Sequence, residues 1–216
     1  MKTTAWLMAV LVLPAVAGAD VLSGTVTTKV RAGATPAPAV VYAEPLTGAA
    51  PAASAKSFAI TQKNKTFTPR VLGVPVGSTV TFPNDDDIFH NVFSLTAGHA
   101  FDLGLYRAGA SKSRTFSSPG LVRVFCNIHP QMTALVVAAA TPWITTASPD
   151  GAWRLELPPG RYRVTALSER AAAVTTEVTV AGTATAPLTL DESAFVAAPH
   201  TNKFGKPYPA TAYKPQ

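Results

Sequence analysis

Cysteine is nearly missing from this chain: Cys126 stands alone among 216 residues. One cysteine cannot form an internal disulfide, and it cannot build the multi-cysteine set that structural zinc usually collects. A solitary thiol is therefore either a buried, inert core residue or a ligand that something occupies. Charge is also sparse, at 14% of residues, and 18 Lys and Arg against 12 Asp and Glu leave a formal charge of +6. The basic residues are scattered and no basic cluster is interleaved with aromatics, which removes support for nucleic-acid binding. A modest positive charge favours acidic protein partners or simply keeps the chain in solution. No Ser-His-Asp order, paired-carboxylate motif or glycine-rich phosphate loop is recognisable. Beyond the first twenty residues the longest apolar run, Ala134 to Ala140, is strand-sized, far short of the roughly 20 residues a membrane helix needs.

The first twenty residues, MKTTAWLMAVLVLPAVAGAD, have another character. Lys2 precedes an apolar run that ends in Ala17-Gly18-Ala19, the layout of a secretory signal peptide with cleavage after Ala19. No cysteine follows the cleavage site to carry a lipid anchor. Removal of residues 1–19 takes away Lys2 and no acid, which lowers the formal charge from +6 to +5. The expected location is periplasmic, or secreted, with no membrane span left after cleavage.

Helical periodicity is nearly absent. In its place are short alternating or β-branched runs such as LSGTVTTKV, AVVYAEPL, RVLGVPVGSTVTFPN, GLVRVFC, AWRLELPPG and RYRVTAL, broken by 19 Pro and 14 Gly. Strand-sized runs at this spacing predict an all-β chain built of sandwiches. Composition divides it further. Thr47 to Ala55 (TGAAPAASA) reads as a linker, Ala138 to Pro142 (AAATP) ends one segment and opens another, and from about Ser193 the pattern fades into an extended tail. The expected units are strands over 20–50, a first complete domain over 51–140, a second over 141–192 and the tail over 193–216.

The chemistry concentrates in CNIHPQM, where Cys126, His129 and Met132 are separated by two residues each. A thiolate, an imidazole and a thioether on one short loop can converge on a single soft metal ion. Two His, one Cys and a weak axial Met form the ligand set of blue-copper electron-transfer sites. The second His is supplied by His90, 36 residues upstream in NDDDIFHNVFS and just after the strand-like STVTFPN. Zinc would accept Cys and His but gains little from Met, so Met132 selects copper. Of the other histidines, His99 follows Gly98 in a loop and reads as solvated, and His200 falls in the tail. Four histidines cannot furnish the extra copper centres of multicopper oxidases or copper nitrite reductases, so no enzyme is expected. Asp85-Asp86-Asp87 reads as a solvated turn.

These residues resemble the cupredoxin (type 1 blue-copper) family, in particular its short-loop members similar to amicyanin and pseudoazurin. The resemblance runs from about Lys56 to Val137: FTPRVLGVPVGSTVTFPNDD, then His90-Asn91, then the strand into Cys126-x-x-His129-x-x-Met132, then ALVV. It implies a Greek-key β-sandwich holding one type 1 copper ion that passes single electrons to redox partner proteins. It also implies that Asn91, next to the first ligand, ties the two ligand segments together and points its amide at the thiolate. The edge of His129 would be the electron exit, within an apolar patch drawn from Ile128, Pro130 and Phe89. The stretch FDLGLYRAGASKSRTF departs from the plastocyanin pattern and is more similar to periplasmic cupredoxin-like proteins labelled methylamine-utilisation proteins.

Residues 143–190 resemble a different module, the carboxypeptidase regulatory-like, transthyretin-like sandwich, through Ser-Pro-Asp-Gly followed by AWRLEL and Pro-Pro-Gly-Arg-Tyr followed by another strand. That module opens with Gly-x-Val and Ala-Val-Val strands, which here occur near the N-terminus in SGTVTTKV and PAVVYAEPL. Two arrangements stay open. Either residues 20–46 belong to the second, small Ig/transthyretin-like sandwich, with the copper domain inserted, or they are extra strands of the copper domain. Trp143, Trp153 and Tyr162 read as core or edge residues. The functional expectation is a periplasmic one-electron carrier; the alternative is a copper storage or delivery module, or a structural binding protein that holds copper without cycling it.

Overall fold

A computed structural model describes residues 19–209; the expected signal peptide up to its last residue, Ala19, and the last seven residues of the tail lie outside the described residues. Eighteen strands account for the secondary structure of the described residues. They are β1 (Asp20–Lys29), β2 (Ala39–Pro45), β3 (Ser57–Ala59), β4 (Thr61–Lys63), β5 (Thr66–Thr68) and β6 (Val71–Pro75). Then come β7 (Thr79–Pro83), β8 (His90–Ser94), β9 (Phe101–Tyr106), β10 (Ser111–Thr115), β11 (Gly120–Phe125) and β12 (Thr133–Ala139). The remainder are β13 (Ile144–Thr146), β14 (Ala152–Leu157), β15 (Gly160–Ser168), β16 (Val174–Val180), β17 (Thr183–Thr185) and β18 (Leu188–Asp191). No helix among the described residues is long and apolar enough to cross a membrane.

The strands pair into two sandwiches. In one, a three-stranded sheet ordered β10-β7-β3 faces a five-stranded sheet ordered β6-β12-β11-β8-β9. In the other, β1 pairs antiparallel with β14 and parallel with β17 and β18, while the facing sheet is ordered β13-β2-β15-β16. The N-terminal strands thus pair with the strands after residue 143: Leu22 with Leu155, Val41 with Ala166, Val41 with Thr145. Neither β1 nor β2 hydrogen-bonds to a strand leading to His90 or Cys126. The chain leaves this second sandwich after Pro45, builds the first, and returns at Ile144.

Alternation decides which face of each strand is buried. In β14, Trp153, Leu155 and Leu157 face inward and the residues between them are exposed. They meet Leu22, Val41, Val164 and Leu190 in the second core. The first core gathers Phe67, Phe82, Val92, Val122, Val124 and Val136. β12 is different, because six of its seven residues are buried. Ala134, Val136 and Ala138 face the first core, while Leu135 and Val137 join Val40, Val71 and Leu167 in a third cluster between the sandwiches. A strand covered on both faces must be apolar throughout, which explains the unbroken run Ala134 to Ala139. The same junction brings Gly73 of β6 so close to the second sandwich that a Cβ there would lie 2.9 Å from Val40 Cγ1. Its amide donates to Thr146 Oγ1 at 3.2 Å, and a two-pronged Arg70–Glu169 ion pair, at 2.7 and 3.2 Å, flanks it.

The segment read as an extended tail is only partly so. After β18 it is pinned to the second sandwich by Arg31, which donates to the carbonyls of Ser193 and Phe195 at 2.8 and 2.6 Å. Over residues 200–208 it folds into a small hairpin bridged at Thr201 and Pro207. Asn202 organises the turn by accepting at Oδ1 from the amides of Phe204 and Lys206. No period-2 or helical pattern marks this nine-residue device, so composition alone gave no signal for it.

Candidate metal centre

The antiparallel neighbours β8 and β11, in register at Phe93 and Phe125, place the start of one strand beside the end of the other. His90 opens β8, Cys126 follows β11, and His129 and Met132 occupy the short loop into β12. A register shift between Asn91 and Phe93 marks a bulge directly after His90, the kind of irregularity that re-aims a side chain at a sheet end. The loop is closed by its own backbone: the Cys126 amide donates to the Met132 carbonyl at 3.2 Å, and the Met132 amide to the His129 carbonyl at 2.9 Å.

Three donor atoms converge. Cys126 Sγ lies 3.8 Å from His90 Nδ1 and 3.8 Å from His129 Nδ1, and the two ring nitrogens are 3.2 Å apart. The circle through these atoms has a radius of about 2.1 Å, comparable to metal–nitrogen and metal–sulfur bond lengths. His90 and Cys126 are buried and His129 half-buried, and together they form a group able to hold a metal ion. Met132 is buried in the same core cluster as Cys126. Soft sulfur with two imidazoles suits copper better than hard cations, so the donor chemistry fits the expected ion.

Burial pushes the Cys126 thiol above its ordinary pKa, and the amides of Asn91, Ile128 and His129, which bond to the sulfur, pull in the opposite direction without prevailing. Burial likewise lowers the pKa of His129, helped by the neighbouring His90. Both shifts favour neutral ligands, a protonated thiol and an uncharged imidazole.

The far side of His90 shows what the sequence did not. His90 Nε2 lies 2.7 Å from Asp86 Oδ2. A carboxylate accepts there, so Nε2 carries the proton and Nδ1 keeps its lone pair for the site. Asp86 also accepts from the amides of Asn64 and Lys65, at 2.6 and 2.9 Å. Both residues have positive φ (53° and 54°), the conformation of the tight turn between β4 and β5. Burial works to raise the Asp86 pKa, but these hydrogen bonds outweigh it and hold the carboxyl below its usual value. The triple-aspartate run is therefore not simply a solvated turn: its middle member orients a candidate ligand, and only the fold brings turn, carboxylate and imidazole together.

Other expectations are corrected in detail. The Asn91 amide does bond to the thiol, but its side chain donates to Asp102 Oδ1 on β9 at 2.7 Å instead of to the second ligand segment. Pro130, expected in an exposed patch, is buried, and its carbonyl accepts from His200 Nε2 at 2.7 Å. Ile128 and Phe89 are exposed, at 46% and 54%, and Ile88 joins them at 39%. His99 is half-buried, and its Nε2 lies 3.1 Å from the Pro119 carbonyl with its ring over Gly120. His200, unassigned from sequence, stacks on Phe125 with ring centroids 4.1 Å apart.

No family model matches the chain, and no curated protein matches it. Solved structures do. A copper(I) form of an amicyanin variant aligns at 24% identity over 38% of this chain and 82% of its own, with a TM-score of 0.37. A purple cupredoxin from Nitrosopumilus maritimus aligns at 26% identity over 40% of this chain and all of its own, with a TM-score of 0.34. A copper-containing nitrite reductase from Thermus scotoductus aligns at 25% identity over 44% of this chain, with a TM-score of 0.38, and the match spans 25% of the reductase.

Proposed function

We propose that the chain is an exported type 1 copper protein that carries single electrons in the periplasm. The observation that carries this reading is the triangle of His90 Nδ1, Cys126 Sγ and His129 Nδ1, backed by the Asp86 carboxylate behind His90. Copper, when bound, supplies the chemistry by alternating between its cuprous and cupric states. His90, Cys126 and His129 would hold the ion, and the Met132 thioether would complete the donor set and tune its potential. The export reading rests on the signal-peptide layout of residues 1–19, and the carrier reading on a histidine count too small for further copper centres.

The protein's own groups do three things. Asp86 fixes the tautomer of His90 and holds the orientation of its ring. The amides of Asn91, Ile128 and His129 aim at the sulfur and stabilise the thiolate form that ligation demands. The fold closes the inner side of the site with core residues, while half-buried His129 follows exposed Ile128 in the chain and exposed Ile88 and Phe89 precede His90. A small apolar rim of this kind suits short-lived encounters with redox partner proteins. Voltammetry on the signal-free chain with one copper per molecule tests the reading: a reversible one-electron wave is expected. Copper that stays bound but cannot be cycled would assign the protein to storage or delivery instead.

A further inference from the structure

The C-terminal hairpin bonds to the ligand loop at three polar groups. The Tyr208 hydroxyl donates to the Cys126 carbonyl at 3.1 Å. The Lys203 amide donates to Asn127 Oδ1 at 3.0 Å. His200 Nε2 donates to the Pro130 carbonyl at 2.7 Å. Burial follows the same selection: between Ser193 and Pro209 only His200, Asn202, Lys203 and Tyr208 are half-buried, and the rest are exposed. The three that reach the loop are thus the ones the hairpin turns inward. Asn202, which organises the turn, is the fourth.

The hairpin also reaches the other ligand segment. Lys203 Nζ pairs with Asp102 Oδ2 at 2.7 Å, and Asp102 Oδ1 accepts from Asn91 Nδ2 at 2.7 Å. A continuous path therefore runs from Asn91, beside His90, through Asp102 and Lys203 to Asn127, beside Cys126. The backbone amide of Asn91 bonds to the thiol directly, and its side chain adds a second route to the other ligand segment through Asp102 and the tail.

We propose that residues 200–208 are a clamp on the candidate metal centre, with His200, Lys203 and Tyr208 as positioning residues that hold residues 126–130 in their ligating conformation. The inference rests on the metal-centre reading of His90, Cys126 and His129. Its physical basis is preorganisation: a loop whose outward carbonyls are bonded to protein has fewer open conformations than one bonded to water. The other end of the strap is anchored by Arg31 at Ser193 and Phe195, so the second sandwich carries the clamp to the site.

The test uses the full signal-free chain and a triple variant, His200→Phe, Lys203→Met and Tyr208→Phe, which keeps ring stacking and removes the side-chain bonds. Two quantities are read: amide hydrogen exchange at Ile128 and His129 in metal-free protein, and the rate at which a chelator strips copper from loaded protein. Each should rise about tenfold, the size expected from losing a few partly exposed hydrogen bonds. Exchange in β15 should stay unchanged, and Lys203→Arg alone should behave as wild type. Unchanged exchange at Ile128 and His129, or equal acceleration in β15, overturns the clamp. A wild-type chain that takes up no copper refutes the metal reading instead, while the exchange arm still decides the clamp.

Discussion

The imidazole of His90 is held from behind by Asp86, Nε2 to Oδ2 at 2.7 Å, with His90 fully buried. The contact determines which ring nitrogen faces Cys126. It also links the site to the β4–β5 turn, whose two amides hold the same carboxylate.

Asp86→Ala should leave the fold intact and weaken copper binding by about 10- to 100-fold, the usual consequence of losing a partner behind a ligating histidine. Competition against a chelator of known affinity measures it. Affinity equal to wild type would mean that the carboxylate serves only the turn.

Met132→Gln should keep copper bound and lower its reduction potential, because the axial ligand sets that quantity. His90→Ala and His129→Ala should each reduce occupancy far more. A Met132→Gln protein with unchanged spectrum and potential would remove Met132 from the site.

Copper uptake should release about one proton near neutral pH, since burial holds the Cys126 thiol protonated and keeps His129 neutral. The sign follows: the metal competes with a proton on sulfur, so affinity rises with pH, about tenfold per unit, until the thiol ionises unaided. Titration calorimetry in buffers of different ionisation enthalpy counts the proton. Uptake without proton release contradicts a buried thiol as ligand.

The ligand residues were legible because their chemistry lies in short motifs: two-residue gaps in CNIHPQM, and a histidine at the end of a strand-like run. All-β character was legible from alternation. The membership of β1 and β2 was not, because an alternating strand reports that one face is buried without naming the sheet that buries it. Asp86 was missed for a related reason: a carboxylate in an acidic run becomes a partner of His90 only after the β4–β5 turn folds over it. The tail device was missed because His200, Lys203 and Tyr208 follow no period and act through a turn built on Asn202.

Leu22→Ala should expose how separate the two cores are. Leu22 is fully buried in the second core, and its truncation should cost about 2–5 kcal/mol there. Chemical denaturation followed by the fluorescence of Trp143 and Trp153, both at the second core, would read the loss, while the copper absorption of the folded variant stays as in wild type. A Leu22→Ala change that alters the metal spectrum under native conditions would mean that the cores are not separate.

The visible spectrum of the signal-free chain after addition of one equivalent of Cu(II) tests the central claim most directly. With Cys126, His90 and His129 around the ion, an intense blue or green band from thiolate-to-copper charge transfer is predicted, and Cys126→Ser should abolish it by removing the donor. A colourless protein at full copper occupancy, or a Cys126→Ser protein that keeps the band, would contradict the account.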